Sequence, residues 1–195
     1  MDTAAGGRKL PDINTPQNRH RTIKKIRQTM STDLETALRA YAQMSPAAVL
    51  KAAELISGLK AIKQQIEGRA GALGYSARCQ QAIEVCRGEC FIWHFPKTFT
   101  AVDFFIASFD LAAAERKVLV EQVRHPVKLP YQCPLLRKDG CIFAFQSRPI
   151  ACTSAFPCMA GGEYWAYKES FRKDIDDIYA VIRHIINNRT RKRHS

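Results

Sequence analysis

The sequence predicts a mainly α fold: a helical hairpin and a C-terminal helix packed around an irregular cysteine-rich loop region. Three observations predict it. Apolar residues recur at three- and four-residue steps in the flanking segments, the period of an amphipathic helix. No segment shows the strict apolar/polar alternation of a half-buried strand. Between the helical segments, Pro126, Pro130, Pro134, Gly140, Pro149 and Pro157 interrupt any sustained period.

Taken in order, residues 1–15 contain Gly6-Gly7 and no apolar periodicity, and read as a flexible basic tail. Thr15 before Pro16 is a candidate cap for a basic helix. Thr32 with Glu35 three positions later forms a stronger capping-box pattern, opening a helix whose apolar side carries Leu34, Leu38 and Tyr41 and which ends near Met44. Ser45-Pro46 then supplies an N-cap and a proline at the first helical position. Ala52, Leu55, Leu59, Ile62 and Ile66 continue that helix to about Glu67, where the three glycines of Gly68–Tyr75 break it. These two helices read as an antiparallel hairpin packed on the cysteine region.

Thr100 with Asp103 marks another capped start, and residues 101–124 are helix-compatible with an interruption around Ser108-Phe109-Asp110. From His125 the chain reads as loop and short turns. After Gly161-Gly162 comes the clearest helix, with Phe171, Ile175, Ile178, Ile182 and Ile185 on one face and Lys173, Asp176, Asp177 and Arg183 on the other. Arg183 and Arg189 lie toward its end, where they favour the helix dipole. The expected organisation is a tail over residues 1–15, one helical domain over 16–188 with its cysteine core at 79–158, and a basic tail over 189–195.

A chain of 195 residues, 46% of them hydrophobic, can build one real core, which excludes disorder throughout. No stretch reaches the roughly 18 consecutive apolar residues that a transmembrane helix needs. Met1 is followed by Asp2 and a polar run instead of an apolar signal core. The expectation is an unexported, cytoplasmic protein. The net charge of +12 is concentrated at the ends. Residues 1–30 hold seven basic against two acidic residues, residues 183–195 hold five basic and no acidic ones, and the span between is nearly neutral. Such ends suit RNA, DNA or an anionic membrane surface. No regular interleaving of basic and aromatic residues accompanies them, so a nucleic-acid partner is not favoured; an unidentified protein partner stays open.

All seven cysteines fall between Cys79 and Cys158. In a reducing compartment they do not pair as disulfides. They read as Cys79-x6-Cys86-x3-Cys90, Cys133-Pro-Leu-Leu-x4-Cys141 and Arg148-Pro149-x2-Cys152-x5-Cys158. Four thiolates from separate loops can converge on one centre, and soft sulfur ligands select zinc or iron–sulfur clusters over hard cations. The competing reading is scattered core thiols, because cysteine also packs as a small hydrophobe. The spacing fits neither a zinc ribbon nor a ferredoxin.

Cys133-Pro134-Leu135-Leu136 with Gly140-Cys141, then Phe145 to Cys152 and Phe156-Pro157-Cys158, resembles the YkgJ-type cysteine-cluster family, a zinc- or iron-chelating domain related to one found in flagellin N-methylases. The resemblance covers Cys79 to Cys158. It departs at Cys86-Arg-Gly-Glu-Cys90, followed here by Phe91, where the family carries an adjacent cysteine pair. It implies Cys86, Cys90, Cys133, Cys141 and Cys152 as the first ligand candidates, with Cys158 next and Cys79 last. Seven candidates exceed one four-ligand site, so either some are structural or two centres share the loops. Arg148-Pro149 is expected to fix the turn that delivers Cys152, with the guanidinium offsetting cluster charge; a solvated surface arginine is the alternative. His94, between Trp93 and Phe95, reads as a packing residue, with a ligand position as the alternative, and Trp93, Phe95, Phe104, Phe105 and Phe109 as a wall that excludes solvent.

The expected cofactor is an iron–sulfur cluster, 4Fe-4S ahead of 2Fe-2S, with zinc as the alternative. Three classes of function follow: redox or cluster chemistry, a structural zinc module binding a partner through basic ends, and protein modification by analogy with the flagellin methylases. No glycine-rich strand-to-helix turn suited to an adenosyl cofactor supports the third. No P-loop, Ser/His/Asp arrangement or paired-carboxylate site is present in the pattern, and Asp176-Asp177 reads as a solvated helix face.

Overall fold

The computed structural model describes residues 16–75, 77–78, 81, 99–124, 135–137, 140–153 and 161–191. These residues are mainly helical: α1 Pro16–Ala42, α2 Pro46–Ala72, α3 Ala101–Ser108, α4 Ala113–Arg124, the four-residue α5 Ile150–Thr153, α6 Gly162–Ser170 and α7 Arg172–Arg191. A two-residue antiparallel ladder, β1 Leu136–Arg137 with β2 Gly140–Cys141, pairs Leu136 with Cys141. A 3-10 turn at Phe145–Ser147 leads from it into α5.

The α1 helix begins at Pro16, sixteen residues before the start expected from Thr32 and Glu35. Thr32 lies mid-helix and its hydroxyl donates to the Gln28 carbonyl one turn back (3.1 Å), the usual outlet for a threonine inside a helix. Ser45 does cap α2, accepting from the Ala48 amide, and Pro46 follows at the first position. That helix continues past Glu67 to Ala72, carrying Gly68 and Gly71 within it; a Cβ at either would meet nothing within 4 Å. The chain turns only at Gly74, whose φ of +72° lies in the left-handed region that glycine reaches without cost.

The capped start at Thr100 and the break at 108–110 both appear: α3 opens at Ala101 and ends at Ser108, and α4 resumes at Ala113. Arg116 secures the break by donating to the carbonyls of Ser108 (3.0 Å) and Leu111. The single helix expected after Gly161-Gly162 is two, α6 and α7, meeting at Phe171. The second runs on through Arg191, and Arg189 donates to the Gln43 carbonyl beyond the end of α1.

Seven of the eight residues of α3, Val102 through Ser108, are buried, which makes this short helix the centre of the packing. Met30, Leu34, Ala37 and Ala40 of α1 close over it, as do Ile56 and Leu59 of α2, Leu119 and Val123 of α4, and Ile182 and Ile186 of α7. The α1 helix packs chiefly on α3, α7 and α4, and α2 on α7, α6 and the 3-10 turn. The expected hairpin therefore has little contact between its own two arms; each arm is held by the elements between and beside them. Ion pairs Lys60–Asp110 (2.6 Å) and Arg124–Glu35 (2.6 Å) link α2 and α1 to the α3–α4 region. A second cluster, Ile66, Ala70 and Tyr164, seats α6 on the end of α2, and Tyr75 accepts the Gly161 amide there. Among the described residues no helix is long and apolar enough to cross a membrane.

Candidate functional site

Of the seven cysteines, the structure describes two. Cys141 sits on β2 and Cys152 in α5; both are half-buried, neither is disulfide-bonded, and both pack against the same hydrophobic core. Cys79, Cys86, Cys90, Cys133 and Cys158, together with His94, Trp93 and Phe95, lie outside the described residues. Of the expected solvent-excluding wall, Phe104 and Phe105 are fully buried and Phe109 is half-buried against Tyr41, with ring centroids 5.1 Å apart. Phe99 and Phe143 join the wall: Phe99 stacks on Phe104 at 5.6 Å, and Phe143 meets both rings. Phe143 lies two residues after Cys141, so the same aromatic packing holds the end of the strand that carries it.

Cys152 is positioned by a chain of backbone constraints. Arg148 is half-buried, not solvated: its Nε donates to the Phe143 carbonyl (3.2 Å) and its guanidinium lies 5.8 Å from the Phe145 ring centroid. Pro149 is buried, and its carbonyl accepts from the Cys152 amide (2.8 Å), closing the turn that starts α5. The arginine thus ties the segment after β2 to the turn before Cys152.

Beneath this turn lies a polar cluster that the sequence reading passed over. Lys63 of α2 is 2% exposed, and its ammonium donates to the carbonyls of Gln146 (3.0 Å) and Arg148 (2.5 Å). Burial lowers its pKa to about 8, with Lys60 adding to the fall; Asp103, Cys152 and Asp110 act in the opposite direction. At neutral pH the group is still mainly cationic. Asp103 of α3 is 3% exposed. Its Oδ1 accepts from the Tyr179 hydroxyl (2.7 Å), and its Oδ2 from the amide (2.9 Å) and hydroxyl (2.8 Å) of Thr100. Burial raises its pKa, and these hydrogen bonds and Lys63 resist the rise. Tyr179 is pushed up by burial, by Asp103 and by Cys152, so it stays a donor throughout the physiological range. Asp33 of α1 is raised by burial and by Asp103.

The signal for Lys63 was available. The buried stripe of α2 is Ala52, Ile56, Leu59, Lys63, Ile66 and Ala70, one step around from the stripe through Leu55 and Ile62 that hydrophobicity alone suggests. A lysine at a core position of a regular stripe is the mark of a partnered buried charge. Asp103 was read only as a cap; it caps α3 and also holds α7.

Chemically, the arrangement offers two soft donors on separate short elements against a dry aromatic wall, with an ammonium and a guanidinium at the turn of one of them. Such donors suit zinc or iron–sulfur ligation, and a four-ligand centre needs two more. Among the described residues no group of three or more His, Cys, Asp or Glu side chains gathers to hold a metal. Cys141 and Cys152 are the two ligand candidates among the described residues. No family model, curated protein or solved structure matches this chain.

Proposed function

We propose that this protein is a metal-binding protein that coordinates an iron–sulfur cluster through cysteine thiolates drawn from Cys86, Cys90, Cys133, Cys141, Cys152, Cys158 and Cys79. The observation that carries the reading is the confinement of all seven cysteines to residues 79–158, four of them in the span from His125 where proline and glycine break helical periodicity. Metal ligation supplies the cohesion that such a stretch lacks. The half-buried placement of Cys141 and Cys152 on the core, and the positive charge at the turn before Cys152, support it. When bound, a cluster supplies one-electron chemistry or activation of a small molecule. The chain's own contribution is to hold thiolates, exclude water with Phe99, Phe104 and Phe143, and offset anionic charge with Arg148.

The test is anaerobic purification of the full chain followed by iron, zinc and acid-labile sulfide analysis and a visible spectrum on the same sample. Iron with sulfide and a broad visible absorption supports the cluster. Replacing Cys133, Cys141 or Cys152 by serine then lowers metal content; unchanged content in all three defeats the ligand assignment.

A second reading is favoured by the charge distribution: a structural zinc module that binds nucleic acid or a protein partner through basic ends flanking a nearly neutral domain. Stoichiometric zinc without colour, with salt-sensitive RNA binding that disappears when the basic residues of 1–15 and 192–195 are changed to glutamine, selects it.

A further inference from the structure

Charge is divided along α7. Its opening turns carry Asp174, Asp176 and Asp177, and the cations there are paired, Arg172 with Glu169 (2.5 Å) and Lys173 with Asp177 (2.8 Å). No acidic residue follows Asp177, while Arg183, His184, Arg189 and Arg191 do. Ile182 and Ile186 are buried in the core, and the side of the helix away from them exposes Arg183, His184, Asn187 and Asn188. Steps of one, three and one residue keep these four on a single face, and Arg191 is the next residue in that register. Among the described residues Arg183 has no ion-pair partner, in contrast to Arg124, Arg172 and Lys173. The amide nitrogen of Asn188 lies 2.7 Å from His184 Nε2. That contact holds the carboxamide in one orientation and leaves its carbonyl oxygen and second N–H for another partner.

We propose that this face of the C-terminal half of α7 docks on duplex DNA, with Arg183 on a backbone phosphate and Asn188, oriented by His184, at a base edge in the major groove. The inference is independent of the metal centre; it rests on the nucleic-acid part of the second reading and moves the contact from the tails to a folded helix. An exposed cationic face without carboxylates complements a phosphate backbone. Asparagine matches the donor and acceptor that adenine shows in the major groove, which is wide enough to admit an α-helix. Other anionic partners fit less well. The major groove of A-form RNA is too narrow for a helix. Single strands are held by aromatic stacking, and none of the four exposed residues is Phe, Tyr or Trp. An anionic membrane takes up an apolar helix face, and here Ile182 and Ile186 are already spent on the core. The acidic opening of α7 sets the limit of the contact: Asp177 precedes Arg183 by about 9 Å of helix at roughly 1.5 Å per residue, so phosphates are repelled from that end.

The experiment is a fluorescence-anisotropy titration of the full chain against a short labelled DNA duplex of mixed sequence and against a single-stranded RNA of the same length, over a series of potassium chloride concentrations. The variants are Arg183→Gln, Asn188→Ala, the glutamine-substituted tails described above, and Lys117→Gln, which removes one exposed cation from α4. Circular dichroism checks that each keeps its fold, as expected of changes at exposed positions. Near physiological salt, duplex affinity should fall about fivefold in Arg183→Gln, and the slope of log affinity against log salt should drop by about one, the loss of one phosphate contact. Asn188→Ala should lose about fivefold with its slope unchanged, the low end for a base-edge contact by an uncharged side chain. Lys117→Gln should bind like the wild type. Wild-type binding by Arg183→Gln or Asn188→Ala overturns the inference; if binding is then lost with the tails, the tail reading stands. A loss in Lys117→Gln equal to that in Arg183→Gln, or tighter binding to the RNA than to the duplex, also overturns it. No binding of either nucleic acid by the wild type at low salt overturns it together with the nucleic-acid part of the second reading and leaves the metal reading untouched.

Discussion

The depressed pKa of Lys63 makes a quantitative demand on stability that can be isolated from every other ionising group. In the unfolded chain the ammonium titrates near 10.5; in the fold, burial brings it to about 8. Between these values the unfolded state binds the proton and the folded state does not, so folding stability rises with pH. The contribution is fully present above 10.5 and is lost as pH falls through 8. A separation of about 2.5 units at 1.36 kcal/mol per unit corresponds to roughly 3 kcal/mol across this window. The comparison is with Lys63→Met, which removes this group and leaves the other ionisable side chains in place. Urea denaturation of both proteins, metal-free and reduced, at half-unit steps from pH 7 to 10.5 should show the wild type gaining on the variant by about 3 kcal/mol, with most of the gain between 8 and 10.5. Parallel stability curves for the two proteins would refute the burial argument, because they would mean that the ammonium is as well solvated in the fold as in the unfolded chain.

Tyr179→Phe removes a donor from a buried carboxylate and should cost about 1.5–3 kcal/mol in urea denaturation, the range for hydrogen bonds to charged groups; a change within error would show that water replaces the hydroxyl. The same substitution at two glycines should have opposite signs. Gly71→Ala, within α2 and with open space at its Cβ, should stabilise by up to about 1 kcal/mol. Gly74→Ala, at φ +72°, should destabilise by about 1–2 kcal/mol, both read as shifts in the denaturation midpoint. Ser45→Ala should cost about 0.5 kcal/mol, the low end for an N-cap, because its bond to the Ala48 amide is long at 3.4 Å.

Local signals survived into the structure where one short-range interaction decides the outcome. Ser45-Pro46 starts α2, Thr100 and Asp103 start α3, and Ser108-Phe109-Asp110 ends it, because each is settled by a cap or a turn within a few residues. The periodicity of α7 from Ile175 to Ile185 also held, since its apolar face meets one continuous core. Readings failed where distant partners decide. Thr32 and Glu35 form a good capping pattern, but packing of Met30 and Leu34 on α3 carries the helix through it. Gly68 and Gly71 stay helical because Ile66 and Ala70 are buried against Tyr164, nearly a hundred residues away in sequence. The candidate site was half legible for the same reason. Cysteine spacing drew attention to Cys141 and Cys152, while Lys63, which holds the Gln146–Arg148 turn, and the Asp103–Tyr179 pair, which ties α3 to α7, come from three helices that no local pattern connects.

The nearly complete enclosure of α3 has a kinetic consequence. A helix of eight residues with seven of them buried cannot fray by itself, since every opening exposes side chains from α1, α2, α4 and α7 together. Its amides should therefore exchange with solvent deuterium only through whole-domain unfolding. The α6 helix, with Tyr164 its one buried residue and Trp165 facing outward, has far less to lose and should exchange through smaller excursions. Protection should therefore fall in two steps, α6 opening under conditions that leave the central helix closed.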